Sequence, residues 1–253
     1  MKLNRLFILV LLFSFSLSLI AHENKVILDS ANAAYSKGDY FKAVKLYDSV
    51  LNNGQVAPEI YFNLGNAYYK TNNIGYAILN YERAKKLAPY DEDITVNLKL
   101  ANQKTEDKIE TAPQLFLTTW KNGIVDMMSE KGWSQMCIVL IIVSLILFAV
   151  YIFSSNRGLK QVGFFGGSAL LFASIFLFFI ARHKYELTKN SESAIITTAT
   201  VTVTGSPNEK GTKLFILHEG TKVSITEDDG GWTEIKIANG NVGWVPSKSL
   251  SAI

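Results

Sequence analysis

Tyr61-Phe62-Asn63-Leu64-Gly65-Asn66-Ala67-Tyr68-Tyr69, followed by Ala77, Tyr81, Ala84 and Pro89, is the stretch on which the reading of this chain turns. The same pattern stands 34 residues earlier. Ala31 corresponds to Gly65, Gly38-Asp39-Tyr40 to Asn72-Asn73-Ile74, Ala43 to Ala77, Tyr47 to Tyr81 and Val50 to Ala84. A fixed period of this length marks stacked helical hairpins. Small residues at Gly65 and Ala77 let two antiparallel helices approach closely, and Leu64, Tyr68 and Tyr81 fill the seam. Pro89 cannot continue a helix and ends the second one. The earlier copy is weaker, with Ile27 and Ser30 at large apolar positions and extra loop residues at Asn52–Ala57. Such hairpins bury their faces only by stacking. A third helical stretch, Asp91 to Ile109, is therefore expected to cap them, with Ile94, Leu98 and Ala101 inward.

The quoted residues closely resemble the tetratricopeptide-repeat pattern. That resemblance implies a concave face that holds extended peptides, which here would carry Asn32, Asn63, Asn66, Lys70 and Asn97. Asparagine amides both donate and accept, so they suit a peptide backbone of any sequence, although asparagine is also simply common at these repeat positions. The subset of the family that clamps a chaperone's terminal carboxylate carries Lys or Arg where this chain has Leu28 and Asp93, so that ligand is not expected.

Outside the repeats the chain has an uneven apolar content. Of 253 residues, 48% are hydrophobic and 19% charged, yet Leu6–Ile20, Met136–Phe153 and Val162–Ala181 are almost free of charge. The first follows Lys2 and Arg5 and leads to Ala21, the layout of a secretory signal peptide over residues 1–21, with an alternative exit after Ser18 and a retained anchor as the other reading. Fifteen residues at ~1.5 Å each fall short of a ~30 Å hydrocarbon core. The other two reach spanning length, giving transmembrane helices over 134–154 and 161–182. Neither Met136–Phe153 nor Val162–Ala181 contains an acid, a base or an amide, so the two helices are expected to anchor rather than transport. Gly163-Phe164-Phe165-Gly166-Gly167 offers the small-residue spacing that lets helices touch, with the neighbouring span as the expected partner.

The net charge of +3 is local to these segments. Residues 24–110 hold eleven basic and eleven acidic residues, and 192–253 hold five and seven. Neither piece has the basic face of a nucleic-acid binder, and the surplus flanks the apolar stretches. Arg157 and Lys160 favour a cytoplasmic short loop; with an exported repeat region, both soluble pieces then face the periplasm from the inner (cytoplasmic) membrane. Residues 111–133 place Phe116, Trp120, Ile124, Met127 and Met128 at helical spacing, an interfacial linker expected to be anchored by Trp120 and Trp133.

Alternation of apolar and polar residues then appears in Ala199–Val203, Leu214–Leu217, Lys222–Thr226, Thr233–Ile237 and Val242–Val245, five short strands in residues 195–253. Asn239-Gly240 reads as a two-residue hairpin turn with both residues at positive φ. Glu219-Gly220-Thr221-Lys222-Val223, Gly231-Trp232 and Gly243-Trp244-Val245-Pro246 closely resemble the bacterial Src-homology-3-like domain. The resemblance implies a peptide- or cell-wall-binding module with Trp232, Trp244 and Pro246 as candidates, though family tryptophans also close the barrel. Asp228 and Asp229, beside two glycines, read as solvated turn acids.

The fold class expected is thus a multidomain membrane protein: all-α tetratricopeptide repeats with a capping helix over 24–110, two transmembrane helices, and a small all-β barrel. One cysteine, Cys137, and three scattered histidines exclude a disulfide framework and leave no metal cage. No Gly-x-Ser-x-Gly, phosphate loop or Cys–His pair suggests catalysis, so no enzyme activity and no cofactor are expected. The order of modules resembles the BatE family of aerotolerance-operon repeat proteins. That resemblance implies membrane-bound von Willebrand factor A-type partners and a scaffold in a stress-related complex; a tether between peptidoglycan and an envelope enzyme is the alternative.

Overall fold

The computed structural model describes residues 24–110, 120–121, 123–125, 127–189 and 192–253. The expected signal peptide lies outside the described residues. Two units form: one combines the described residues of 1–111 with 192–253, the other falls within 112–191.

The first unit opens with five helices: α1 (24–36), α2 (Tyr40–Asn52), α3 (Pro58–Lys70), α4 (Ile74–Leu87) and α5 (Glu92–Gln103). Their boundaries follow the local chemistry. Asp39 caps α2 by accepting from the Lys42 N–H, Pro58 stands in the first turn of α3, and Asp91 caps α5 by accepting from the Ile94 N–H. The two inter-helix turns within the hairpins use the left-handed region at equivalent positions, Gly38 (φ 81°) and Asn72 (φ 60°), the latter the only described non-glycine there. Gly65 meets the Tyr81 ring: a Cβ on it would lie 2.7 Å from Tyr81 Cδ1. The period of 34 is therefore a repeat of packing as well as of letters.

Helix α5 is shorter than the stretch expected to reach Ile109. It ends at Gln103, and residues 104–110 run on without regular structure. The Lys108 ammonium donates to the carbonyls of Asn102 and Gln103, satisfying acceptors at the helix end.

Residues 192–253 form one antiparallel seven-stranded sheet in the order β3-β2-β6-β5-β4-β1-β7, where β1 is Ser193–Ile196, β2 Thr200–Thr204, β3 Lys213–His218, β4 Lys222–Asp229, β5 Trp232–Lys236, β6 Val242–Pro246 and β7 Leu250–Ala252. The five expected strands are β2 to β6; β1 and β7 are additional. The core comprises Ala194, Ile196, Val201, Val203, Leu217, Val223, Ile235, Ile237 and Val245. Strand β1 does not alternate because both its faces are covered. Ala194 and Ile196 point into this core, whereas Ile195 joins Ile74, Ala77, Ile78, Leu79, Tyr81, Leu98 and Ala101 of the repeats.

Two hairpins exchange roles relative to expectation. Gly230 (φ 54°) and Gly231 (φ 93°) make the two-residue turn between β4 and β5, with Asp229 opposite Trp232. At Asn239-Gly240 only Gly240 (φ 96°) is left-handed. There the loop is three residues long: the Gly240 N–H donates to Ile237 C=O, the Ile237 N–H to Asn241 C=O, and the Asn241 N–H to Asn239 Oδ1. The asparagine side chain stabilises the turn without leaving the ordinary backbone region.

In the second unit, α6 (Glu130–Phe153) and α7 (Arg157–Lys189) form an antiparallel hairpin through Ser154-Ser155-Asn156. Both helices are long and apolar enough to cross a membrane. Their seam is built on small residues. A Cβ on Gly163 would sit 2.7 Å from Leu147 O and 2.8 Å from Tyr151 N, so only glycine permits this backbone approach. Ser144 Oγ donates across the seam to Gly167 C=O at 2.8 Å, and Cys137 Sγ donates to Ser174 C=O at 3.3 Å. Cys137 is buried, a small filler within the seam. Of the lead-in, 120–121 and 123–125 are helical. Trp120 is 63% exposed, but Trp133 is 7% exposed and donates its indole N–H to Val125 C=O, so it clamps this segment instead of lying at a surface.

Candidate functional site

The concave side of the repeats forms a groove of about 230 Å³ lined by Tyr35 from α1, Asn66, Tyr69 and Lys70 from α3, Tyr81 from α4, and Asn97 and Leu100 from α5. Three of the five expected residues, Asn66, Lys70 and Asn97, meet here. Asn32 and Asn63 are not part of the lining.

The amides of Asn32, Asn66 and Asn97 are engaged within the protein. Tyr47 OH donates to Asn32 Oδ1 at 2.6 Å, and 34 residues on, Tyr81 OH donates to Asn66 Oδ1 at 2.7 Å. Asn97 Nδ2 donates to the same Asn66 oxygen at 2.9 Å. Each repeat thus uses an asparagine to satisfy a phenol that is 1% exposed. Burial, with nearby tyrosines adding to it, pushes the Tyr47 hydroxyl up to about 12 and raises Tyr81 as well, so both remain neutral donors at physiological pH. The sequence carried a signal for this arrangement: an Asn–Tyr pair fifteen residues apart in both copies. A ligand in the groove meets tyrosine faces, the Lys70 ammonium and the capacity these amides retain. At the rim, Lys104 Nζ stands 4.1 Å over the Tyr69 ring.

Trp232, Trp244 and Pro246 share one face. In the β5–β6 ladder Trp232 stands opposite Pro246, and Glu234 opposite Trp244. Thr233, Ile235, Gly243 and Val245 point inward and are buried, so the alternation puts Trp232, Trp244 and Pro246 outward, half-buried and outside the apolar core. Asp228 and Asp229 end β4; Asp228 Oδ1 lies 3.4 Å from both Thr233 Oγ1 and Ser247 Oγ. Among the described residues no group of three metal-ligating side chains converges.

Sequence reasoning did not reveal that the sheet docks on the repeats. The turn Glu219-Gly220, at the start of the Src-homology-3-like string, lies on α4. A Cβ on Gly75 would come within 3.2 Å of Glu219 Cβ, and one on Gly220 (φ 87°) within 2.9 Å of Ile78 Cδ1. Lys222 pairs with Glu82 at 2.8 Å. Arg83 donates through Nε and Nη2 to Ala252 C=O at 3.2 and 2.6 Å, and Lys86 donates to Ile253 C=O at 2.8 Å. On segment 104–110, Asp107 accepts from the His218 N–H and from Thr221 Oγ1, and Ile109 packs on the β core.

Comparison with known families agrees with these assignments. A bacterial SH3 domain family matches residues 192–251, a TPR repeat family residues 31–72, and a tetratricopeptide repeat family residues 58–91. No curated protein matches the chain. The chain therefore carries tetratricopeptide repeats and a bacterial SH3 domain, modules that serve protein–protein interaction.

Proposed function

We propose that this protein is a non-enzymatic, membrane-anchored scaffold that presents its repeats and its SH3 domain on the extracytoplasmic side as a single docked body. One observation carries the reading: residues 24–110 and 192–253 are joined by a shared apolar cluster and by charged contacts, although 81 positions separate them in sequence. Such docking requires both pieces to occupy one compartment. A hairpin of two crossings, α6 and α7, meets that requirement, and a signal peptide over 1–21 would make the compartment the periplasm. The groove at Asn66, Lys70 and Asn97 and the face at Trp232, Trp244 and Pro246 are then held at a fixed spacing, so two weak contacts to one assembly reinforce each other. Asn32 and Asn63 contribute to the first helices that frame the groove. The module order, similar to that of the BatE family, supports von Willebrand factor A-type membrane proteins in an aerotolerance or stress-related complex as the partners.

The test is in-membrane cross-linking of the full chain carrying Lys70→Glu with Leu100→Glu, two groove-lining changes that leave the Asn66–Tyr81 bond in place. Loss of a cross-linked von Willebrand factor A-type protein is expected; an unchanged set of adducts would refute the groove as the docking site. A reporter fused after Ile253 should be active only outside the cytosol.

A second reading, a tether to peptidoglycan, is favoured by the outward pairing of Trp232, Trp244 and Pro246, since half-exposed indoles offer flat faces for stacking. Full-length protein should then co-sediment with purified cell wall, and Trp232→Ala with Trp244→Ala should abolish it. Failure of the unaltered chain to sediment retires the tether and leaves the scaffold standing.

A further inference from the structure

The carboxylate of Asp107 is the polar centre of the contact between segment 104–110 and the SH3 domain, beside the packing of Ile109 on the β core. Asp107, whose side chain is 14% exposed, accepts from the His218 backbone N–H at 2.7 Å and from Thr221 Oγ1 at 2.6 Å, and its Oδ1 lies 2.9 Å from His218 Nδ1. The other ring nitrogen is also occupied: His218 Nε2 stands 3.3 Å from Glu106 Oε2. A neutral imidazole has one N–H, so one of these contacts would set a lone pair against a carboxylate oxygen. Only the imidazolium donates to both.

The geometry points to a proton-operated latch in which protonated His218 clamps residues 104–110 onto the turn between β3 and β4, and loss of that proton loosens the clamp. Glu106 and Asp107 contact the ring, and the other charged groups of the same cleft of about 450 Å³ are Lys104 from the segment and Glu219 from the turn. Lys104 also stands over the Tyr69 ring.

The titration directions agree. The bond to Asp107, followed by the charges of Asp107 and Glu106, raises His218 above the ordinary histidine value. Burial alone would raise Asp107, but the bonds from His218 and Thr221 outweigh it and leave the carboxyl below its usual range. A raised histidine stabilises the clamped form fully below its unfolded value and loses that contribution as pH rises through its folded value. A lowered carboxylate contributes above its unfolded value and loses that contribution on acidification through its folded one. The clamp is therefore tightest in mildly acidic solution and loosens toward alkaline pH. It loosens without detaching, because the backbone and Thr221 bonds to Asp107 persist.

Hydrogen exchange of the full chain in lipid nanodiscs, corrected for intrinsic rates, tests this at about pH 5.5 and about pH 8, either side of the histidine range. Protection of residues 104–110 and of the 218–221 turn should fall about fivefold between the two, the scale separating a charge-assisted from a neutral hydrogen bond. His218→Gln should show the weaker protection at both pH values, and Glu106→Gln should reduce the change. Equal protection of the unaltered protein at both pH values, or the same fall in His218→Gln, overturns the latch. The His218 imidazole titration, followed by NMR in the unaltered protein, gives a check independent of any substitution: a midpoint at or below the ordinary value also overturns it.

Discussion

Replacing Ile195 with Ala should destabilise two modules at once. Ile195 is fully buried, and it belongs to the cluster formed by α4 and α5, with Ile253 packed beside it, not to the core of its own sheet. Truncation removes three carbons from a cluster walled by Ile74, Ile78, Leu79, Tyr81 and Leu98. Ile-to-Ala changes at such sites cost about 2–5 kcal/mol, and ~3 kcal/mol is a central expectation. For a unit of this size that corresponds to a Tm lower by about 6–12 °C. The assay is a melt of the full chain in detergent, with Trp120 and Trp133 replaced by Phe so that Trp232 and Trp244 report on the sheet. Hydrogen exchange of the α4 and α5 amides reports on the repeats and should accelerate by about a hundredfold, the equivalent of ~3 kcal/mol where those amides exchange through opening of the whole unit. If the sheet signal shifts while α4 and α5 keep their protection, the two modules are adjacent but not energetically joined, and the scaffold reading loses its basis.

Other substitutions test separate links. Asn66→Ala leaves the Tyr81 hydroxyl buried without its acceptor and should cost about 1–3 kcal/mol, whereas Tyr81→Phe removes the donor too and should cost about 1 kcal/mol; equal losses in chemical denaturation would contradict this. Gly163→Ala forces the α6 and α7 backbones apart, at about 1–3 kcal/mol, and maleimide labelling of the buried Cys137 should accelerate; an unchanged rate would show that the seam tolerates a methyl group. Gly240→Ala meets no neighbour within 4 Å, so its cost of about 1–2 kcal/mol is conformational alone, while Asn239→Ala should lose only about 1 kcal/mol through its bond to the Asn241 N–H. The tryptophan-monitored melt distinguishes the two turn variants.

How much of the site could be read beforehand differs between its two halves. Trp232, Trp244 and Pro246 fall on one face because β5 and β6 are neighbours in sequence, joined by a short turn, and period-two alternation settles their direction. The groove was legible only as a set of first-helix positions. That Asn66 and Asn97 would be consumed partly by each other and by Tyr81 depends on how three helices cross, which no spacing within one helix reveals. Trp133 illustrates the same limit. Its spacing suited a surface anchor, but the carbonyl of Val125 offered its indole N–H a buried partner.

Local and periodic physics sufficed for the repeats, the apolar helices and most of the strands. A 34-residue period, small residues at Gly65 and Gly163, alternation from Thr200 onward and caps at Asp39 and Asp91 all act within about forty residues. The docking of the SH3 domain on α4 came from tertiary structure alone. It needs Ile195 to emerge on the far side of a strand buried on both faces, Gly75 and Gly220 to leave room at the same point, and Asp107 to meet a histidine 111 residues away. None of those residues is unusual by itself. Their meaning lies in complementarity between surfaces that the chain brings together only when folded.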